Sequence, residues 1–297
     1  MRVAVSGAGG LIGAALVADL RRDGHEVLRL VRGGPAAPDA VRWDPHGAVD
    51  TARLEGVHAV VHLAGAGIGD RRWTAAYQAE IRDSRVSGTR TLAAALADLA
   101  RPPRVLVSAS AIGYYGDTGD RVVDENSPPG HDFLAQVVVD WEAAAEPARQ
   151  AGIRVVHPRS GIVAAAHAGA FHRLLPLFRL GLGGRLGSGR QFWSVVSLAD
   201  EVAALRFLID REDLSGPVNV TVPRTPTNAE LTRALAAALR RPALLPVPAP
   251  ALRLVLGELS VQVLGSARVL PGRLTAAGFT FRHPDGPSVV ASLIGHR

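Results

Sequence analysis

No cysteine and no lysine occur anywhere in the 297 residues, and the single methionine is the first residue. Without cysteine there is neither a disulfide framework nor a thiolate metal site. All 33 basic residues are arginine, scattered along the chain and not gathered into a tract, so the formal charge of +6 raises the isoelectric point without marking a binding face. Aromatic residues make up only 5%, too few for obvious base-stacking platforms, and nucleic acid is not expected as a partner. Runs of about 18 apolar residues are missing as well, and Met1 leads directly into a strand-like segment. The composition therefore predicts a cytoplasmic chain with neither signal peptide nor membrane partner. At 47% hydrophobic content it can bury a large core, as one α/β domain or one with an appendage.

What the chain does have is a glycine turn. Arg2-Val-Ala-Val-Ser-Gly-Ala-Gly-Gly-Leu-Ile-Gly13 is an apolar strand running into Gly7, Gly10 and Gly13. Gly7 suits a tight strand-to-helix turn, Gly10 lets a pyrophosphate approach the main chain, and Gly13 lets the helix pack close to the strand. The helix that follows, over Leu11 to Arg22, would aim its first N–H groups, those of Leu11 and Ile12 included, at the phosphates. A second strand over His25 to Val31 completes the context of a dinucleotide seat. An NAD-binding domain usually carries an acid at the tip of that strand for the ribose 2′-hydroxyl. Here the tip reads Leu28-Arg-Leu-Val31-Arg32-Gly33, with no acid, and the Arg32 guanidinium suits a 2′-phosphate. The expected cofactor is NADP(H); the alternative for Arg32 is a solvated strand end.

Strand and helix then alternate. Val57 to Leu63, Arg104 to Ser108 and Ile153 to His157 read as strands, and Trp73 to Ala100 and Phe133 to Ala151 as helical regions. Such units predict a Rossmann-like doubly wound parallel sheet with a smaller, mainly helical substrate-side domain. Gly161 to Gly189 is rich in glycine and apolar residues. Beyond it, Leu198 to Ile209 and Asn228 to Leu239 read as helices, Val218 to Val222 as a strand, and the prolines from 242 to 250 as a boundary. The domains expected are an NADP-binding domain over 1–222, with 161–190 contributing to the substrate side, and a small C-terminal domain over 223–297.

Several motifs now occur in a telling order: Gly7-x-x-Gly10-x-x-Gly13, Leu63-Ala-Gly65, Ser108-Ala-Ser110 with Gly113-Tyr-Tyr-Gly-Asp117, and Pro158-Arg-Ser-Gly-Ile162. The chain resembles the extended short-chain dehydrogenases and reductases. Arg72-Trp73, Trp141-Glu142, Phe178-Arg-Leu-Gly-Leu-Gly-Gly184, Gly187-Ser-Gly-Arg-Gln191, Gly257-Glu-Leu-Ser, Arg268-Val-Leu-Pro271 and Ala277-Gly-Phe279 narrow the likeness. They resemble the atypical subgroup called the epimerase family, nucleoside-diphosphate-sugar epimerase-like proteins with a small C-terminal domain of unknown function.

The resemblance implies NADP(H) at the glycine turn, with the backbone of Leu63, Ala64 and Gly65 along its ribose and phosphates. It also implies that Glu80 and Arg85 reach the same cleft, that Ser108 lines it, and that Val163 passes the nicotinamide. Read as residues alone, Glu80 and Arg85 fit a surface ion pair equally well, and Val163 fits a core position.

Catalysis departs from the wider superfamily, whose reductases use a Tyr as acid and base, a Lys four residues later and an orienting Ser. Ser110 matches the serine, but the other two positions read Phe133 and Val137, and a chain without lysine cannot hold the pair anywhere. Tyr114 and Tyr115 are the candidate replacements, against packing in a loop. The acids Asp117, Asp120, Asp124 and Glu125 read as a solvated run. Ser197 stands where the resemblance implies a histidine, and Asp200 reads as a helix cap. His62 reads as buried structure, and neither a metal site nor a Gly-x-Ser-x-Gly elbow is found. Phe171 to Gln191 is expected to cross the top of the sheet, as a lid offering Arg179, Arg185, Arg190 and Gln191 to an anionic or sugar-like small molecule, or as a plain cover. Two functions survive: an NADP-dependent oxidoreductase or epimerase-like enzyme using Ser110 with Tyr114 or Tyr115, and a non-catalytic NADP(H)-binding sensor or regulator.

Overall fold

The computed structural model describes residues 1–33 and 37–295. Its first half runs β1 (Arg2–Ser6), α1 (Leu11–Arg22), β2 (Glu26–Val31), β3 (Ala40–Arg42), β4 (Ala59–His62), α2 (Ala75–Ala97), β5 (Val105–Ser108), β6 (Ser110–Ala111), β7 (Val122–Val123), α3 (Phe133–Ala143) and α4 (Glu146–Gln150). Then come β8 (Arg154–Ser160), β9 (Ile162–Ala164), α5 (Gly169–Arg179), β10 (Val195–Ser197), α6 (Leu198–Asp210), β11 (Gly216–Val220) and α7 (Asn228–Leu239). The chain ends with α8 (Ala249–Leu256), α9 (Ser260–Leu264), β12 (Arg268–Val269), α10 (Gly272–Ala276) and α11 (Gly286–Ile294).

The main sheet is parallel, in the order β11-β8-β5-β4-β1-β2-β3, with β6 added beside β8. Its valine-rich strands are buried on both faces, which is what a parallel sheet covered by helices on each side demands. Along β1 the side chains alternate. Val3 and Val5 join Leu16 and Leu20 of α1 and Leu205 and Leu208 of α6, while Ala4 joins Leu92 and Leu96 of α2 on the other face. Strand order reverses between β1 and β4. The crevice beyond their carboxyl ends is therefore the switch point where open α/β sheets bind ligands.

The helices α1 and α7 have the bounds that sequence predicts. The region 133–151, expected as one helix, is two: Pro147 has no N–H to give and would clash one turn back, so the chain restarts with Pro147 in the first turn of α4. The strand expected to stop at His157 runs on through Pro158 to Ser160. On that side the β5 pairing ends at Val156 and the β6 pairing begins at Arg159, so the missing N–H falls in a gap of the ladder.

Residues after 222 serve two cores. α7 and α11 pack with Phe171, Leu175 and Phe178 of α5. β12 pairs with β7, and Leu274 of α10 is buried in the cluster beneath β1 and β11. Among the described residues no helix is long and apolar enough to cross a membrane.

Candidate functional site

The glycine turn is sterically closed to any side chain at two of its three positions. Gly7 has φ +64°, and a Cβ there would lie 2.8 Å from the Leu63 carbonyl. A Cβ on Gly13 would lie 2.2 Å from the Gly7 oxygen, and one on Gly10 would lie 3.3 Å from the same atom. The N-terminus of α1 opens directly after this turn. Gly10 caps it without a side chain, and no acid occupies the first turn. By contrast α2, α3, α6, α7 and α11 are capped by Thr74, Asp132, Ser197, Thr227 and Asp285. The opening N–H groups of α1, at Leu11 and Ile12, thus have no internal competitor and suit an anion.

A buried brace holds the opposite wall. Ser6 Oγ accepts from the N–H groups of Leu63 (3.1 Å) and Ala64 (3.3 Å) and bonds His62 Nδ1 (2.7 Å). Burial pushes the His62 imidazole down to about 4. It is therefore a neutral strut, edge-on to Trp43, and not a base.

At the tip of β2, Val31 is half-buried and Arg32 is exposed, with no carboxylate within salt-bridge distance among the described residues. The acid that follows, Asp39, is already taken. Arg29 grips it at 2.6 and 2.8 Å and Arg21 adds a further bond, holding its carboxyl down at about 2.

Beyond β4, Arg85 turns inward. It donates to the carbonyls of Ala66 (2.9 Å) and Ile81 (3.0 Å), lies over the Trp141 ring and packs beside Gly65. Glu80 is not brought with it: it is half exposed and paired with Arg71 at 3.6 Å. Val163 lies on β9. A Cβ added to Gly169 would lie 3.7 Å from both the Val163 oxygen and Leu11 Cδ2, so β9 closes over the start of α1. Ser108, fully buried at the end of β5, has a hydroxyl with no partner.

The catalytic candidates fall into one network. Ser110 Oγ donates to Glu142 Oε1 at 2.6 Å. Arg159 grips both oxygens of Glu142 at 2.8 Å, donates to the Tyr115 hydroxyl at 3.0 Å, and lies 3.4 Å above the centre of the Tyr114 ring. Tyr115 in turn donates to Asn219 Oδ1 at 2.8 Å, and burial pushes its phenol up to about 12. That shift leaves Tyr115 an anchor, too weak an acid to exchange protons near neutrality. Tyr114 is half-buried and its hydroxyl has no partner among the described residues. Phe133 and Val137, which the sequence resemblance sets at the Tyr and Lys positions, are apolar packing: Phe133 edges onto Trp73 and Val137 is buried.

Glu142 and Arg159 were missed as functional residues. Both lie inside motifs quoted for the resemblance, yet nothing in the sequence says that they meet. The acidic loop, expected to be solvated, is exposed at Asp117 and Asp120, half-buried at Asp124 and buried at Glu125. Asp117 accepts from Ser266 N, and Glu125, buried, accepts from the N–H groups of Asn219 and Arg273. Asp200, expected to cap α6, lies in its first turn instead: Ser197 is the cap and accepts the Asp200 N–H, while the buried Asp200 carboxylate holds the N–H groups of Arg282 (2.8 Å) and His283 (2.9 Å). His283 Nδ1 lies 2.8 Å from Ser197 Oγ, so an imidazole stands beside the serine after all. The segment before β10 is tied down: Gln191 donates to Leu186 O and Trp193 to Val263 O, while Arg179, Arg185 and Arg190 remain exposed.

Beside this site, Glu201 is buried, accepts from Ser160 Oγ at 2.6 Å, and leaves Oε2 unpartnered. Burial pushes its carboxyl up to about 7. An acid raised in the folded state costs nothing while protonated and costs stability as pH rises from the unfolded value near 4.5 to about 7. His62 acts oppositely, costing stability as pH falls below about 6.5. Glu201→Gln is therefore expected to raise the melting temperature at pH 8 and to leave it unchanged near pH 4. A parallel shift at both pH values, followed by calorimetry, would count against this burial cost.

Comparison with known proteins places these features in a family. Residues 3–220 match the NAD dependent epimerase/dehydratase family, and residues 247–293 match a domain of unknown function. An epimerase family protein of Mycobacterium bovis (Mb2239) is 49% identical over 283 residues, covering 95% of this chain and 93% of that protein. The crystal structure of human epimerase family protein SDR39U1 with NADPH superposes with a TM-score of 0.93 at 33% identity, each chain covered in full. A nucleoside-diphosphate sugar epimerase from Corynebacterium glutamicum gives 0.83 at 34%, covering all of this chain and 59% of that one.

Proposed function

Since the chain belongs to the NAD-dependent epimerase/dehydratase family, we propose that it binds NADP(H) and transfers hydride between the cofactor and a small carbonyl or alcohol without the Tyr-Lys pair. The human relative's crystal structure contains NADPH, and the residues here fit that group. The turn of Gly7, Gly10 and Gly13 and the uncapped α1 suit the pyrophosphate, Arg32 the 2′-phosphate, and the backbone at 63–65, Arg85 and Val163 the ribose and nicotinamide side, while the Ser108 hydroxyl is too deeply buried to reach it. Bound there, the cofactor would supply or accept the hydride.

The observation that carries the catalytic reading is the Ser110–Glu142 hydrogen bond. Because Ser110 gives its only proton to Glu142, its lone pairs are left to accept a hydrogen bond from a substrate hydroxyl. As hydride leaves the substrate carbon, the hydroxyl proton can pass to Ser110 Oγ while the Ser110 proton moves to Glu142 Oε1; reduction runs the same path backwards. Arg159 fixes both oxygens of Glu142 for this exchange. Tyr114, its phenol unpartnered beside the same guanidinium, lines the substrate side.

The test is NADPH and NADH titration followed by turnover over a panel of carbonyls and nucleotide sugars. Arg32→Ala should weaken NADPH by about 10- to 100-fold and NADH little. Ser110→Ala should cut turnover by roughly 10²- to 10⁴-fold with NADPH affinity retained. Tight NADPH binding with no turnover on any substrate would instead support a sensor. One observation favours that second reading: of the two tyrosines beside Ser110, Tyr115 is locked in the core.

A further inference from the structure

The carboxylates of this chain avoid one face. No Asp or Glu occurs between Glu146 and Asp200, nor between Glu230 and Glu258. The fold brings the later parts of these two stretches together. Arg185 O accepts from Val247 N and Gly187 N donates to Val247 O, both at 2.9 Å. Gly181 lies against Pro242, and Gly184 against the Leu245 backbone. The end of α5 therefore runs beside the segment that leads into α8.

That face is apolar as well as basic. Ten large hydrophobic side chains stand exposed among the described residues, and eight of them lie here, at 177–182, 244–245 and 254–261. Leu180, Leu244, Leu254 and Val255 are each more than 70% exposed. Interleaved with them are Arg179, Arg240, Arg241 and Arg253, none within salt-bridge distance of a carboxylate among the described residues, whereas Arg29, Arg82, Arg206 and Arg211 are all paired. The two acids at the margins are engaged: Glu258 with Gln78, and Glu230 in the capping box of α7.

We propose that this face docks on an anionic lipid bilayer, with leucines entering the acyl boundary and arginines among the headgroups. Exposed leucines alternating with unpaired cations, with Glu258 the one acid and turned to Gln78, are the pattern of an interfacial surface. A second copy of the chain would set arginine against arginine across a twofold axis, which like-charge repulsion opposes. The scarcity of aromatics argues against nucleic acid. Such docking would depart from the membrane-free expectation from sequence, where the arginines look scattered because the two stretches are far apart. It would also set the cleft mouth near the lipid. Arg173 of α5 donates to Gly69 O, and the Glu258–Gln78 bond ties the end of α8 to α2.

The experiment is vesicle co-sedimentation of the full chain. Phosphatidylglycerol vesicles should bind it and pure phosphatidylcholine vesicles should not, and 0.5 M salt should release it. Arg240→Gln with Arg241→Gln should weaken binding about 25-fold, taking roughly fivefold per arginine. Leu254→Ser with Val255→Ser should weaken it further at an unchanged melting temperature. Failure to bind phosphatidylglycerol, equal binding to both lipids, or indifference to both double variants would overturn the proposal. So would a concentration-dependent dimer lost in Leu254→Ser with Val255→Ser, which would identify a second copy as the occupant.

Discussion

Arg159→Met is expected to lower the free energy of unfolding by about 3–5 kcal/mol, the cost of stranding a buried partner charge, and to lower the melting temperature by roughly 10 °C. The Arg159 side chain is 3% exposed and its partner Glu142 is 14% exposed, so water can rescue neither once the pair is broken. The variant also leaves the Tyr115 hydroxyl short of one donor and the Tyr114 face without its cation. An exposed pair supplies the contrast. Arg211→Met, which breaks the surface pair with Asp213 and one bond to the Ala277 carbonyl, should cost far less, because water solvates the groups it parts. Replacing Arg159 and Glu142 together by apolar residues should recover much of the loss, because the cost lies in the unpaired charge more than in the lost attraction. Denaturant unfolding of the four proteins in this cycle measures it. A loss below 1 kcal/mol for Arg159→Met would mean that the pair is far better hydrated in solution than its geometry implies.

Gly13→Ala carries the largest expected effect on cofactor binding. Its Cβ would stand 2.2 Å from the Gly7 oxygen and 3.0 Å from the Ala8 Cα, so either α1 or the turn must move. Whichever moves, the uncapped N–H groups no longer converge on the place where a pyrophosphate would lie. NADPH affinity should fall by about 100-fold or more, roughly 2.7 kcal/mol. Gly9→Ala is the internal control. It lies in the same turn, has no neighbour within 4 Å of an added Cβ, and should bind NADPH as the parent does. Calorimetric titration of both variants, with a melting curve for each, separates a displaced turn from an unfolded chain. Equal affinity for Gly13→Ala and the parent would remove the glycine turn from the cofactor site.

How much was legible depended on how local the cause was. The glycine turn follows from steric limits within a dozen residues, and the bounds of α7 are marked by its own capping box, Thr227 with Glu230. Alternating runs such as Val3, Ala4 and Val5 declare a buried strand without help from the rest of the chain. By contrast β6, β7, β9, β10 and β12 are two or three residues long, too short for any periodicity, and exist because a distant partner fits them. The Ser110 cluster fails for the same reason. Its carboxylate comes from α3 and its guanidinium from β8, and only the sheet order sets them on Ser110 and Tyr115. Tyr115 looked free to face a cleft because its partner Asn219 is 104 residues away. The strand expected to stop at His157 runs on because the ladder leaves a gap where Pro158 lacks its N–H.

The stretch from Ser266 to Leu270 bears on the order in which the chain becomes whole. Ser266 O receives the Thr118 N–H, Ala267 N donates to Phe192 O, Val269 O receives the Thr221 hydroxyl, and Leu270 O receives the Asn219 amide. These few residues join β7, the segment before β10 and the end of β11 across separations of up to about 150 positions. They also emerge from the ribosome long after the glycine turn. The glycine turn and the strands around it can assemble, and hold a dinucleotide, while the C-terminal stretch is still being made. Asn219 must wait for Leu270 before the hydroxyl, carboxylate and guanidinium above it settle. The growing chain would thus acquire its cofactor seat first and its reactive face only later, with bound cofactor as a template for that step.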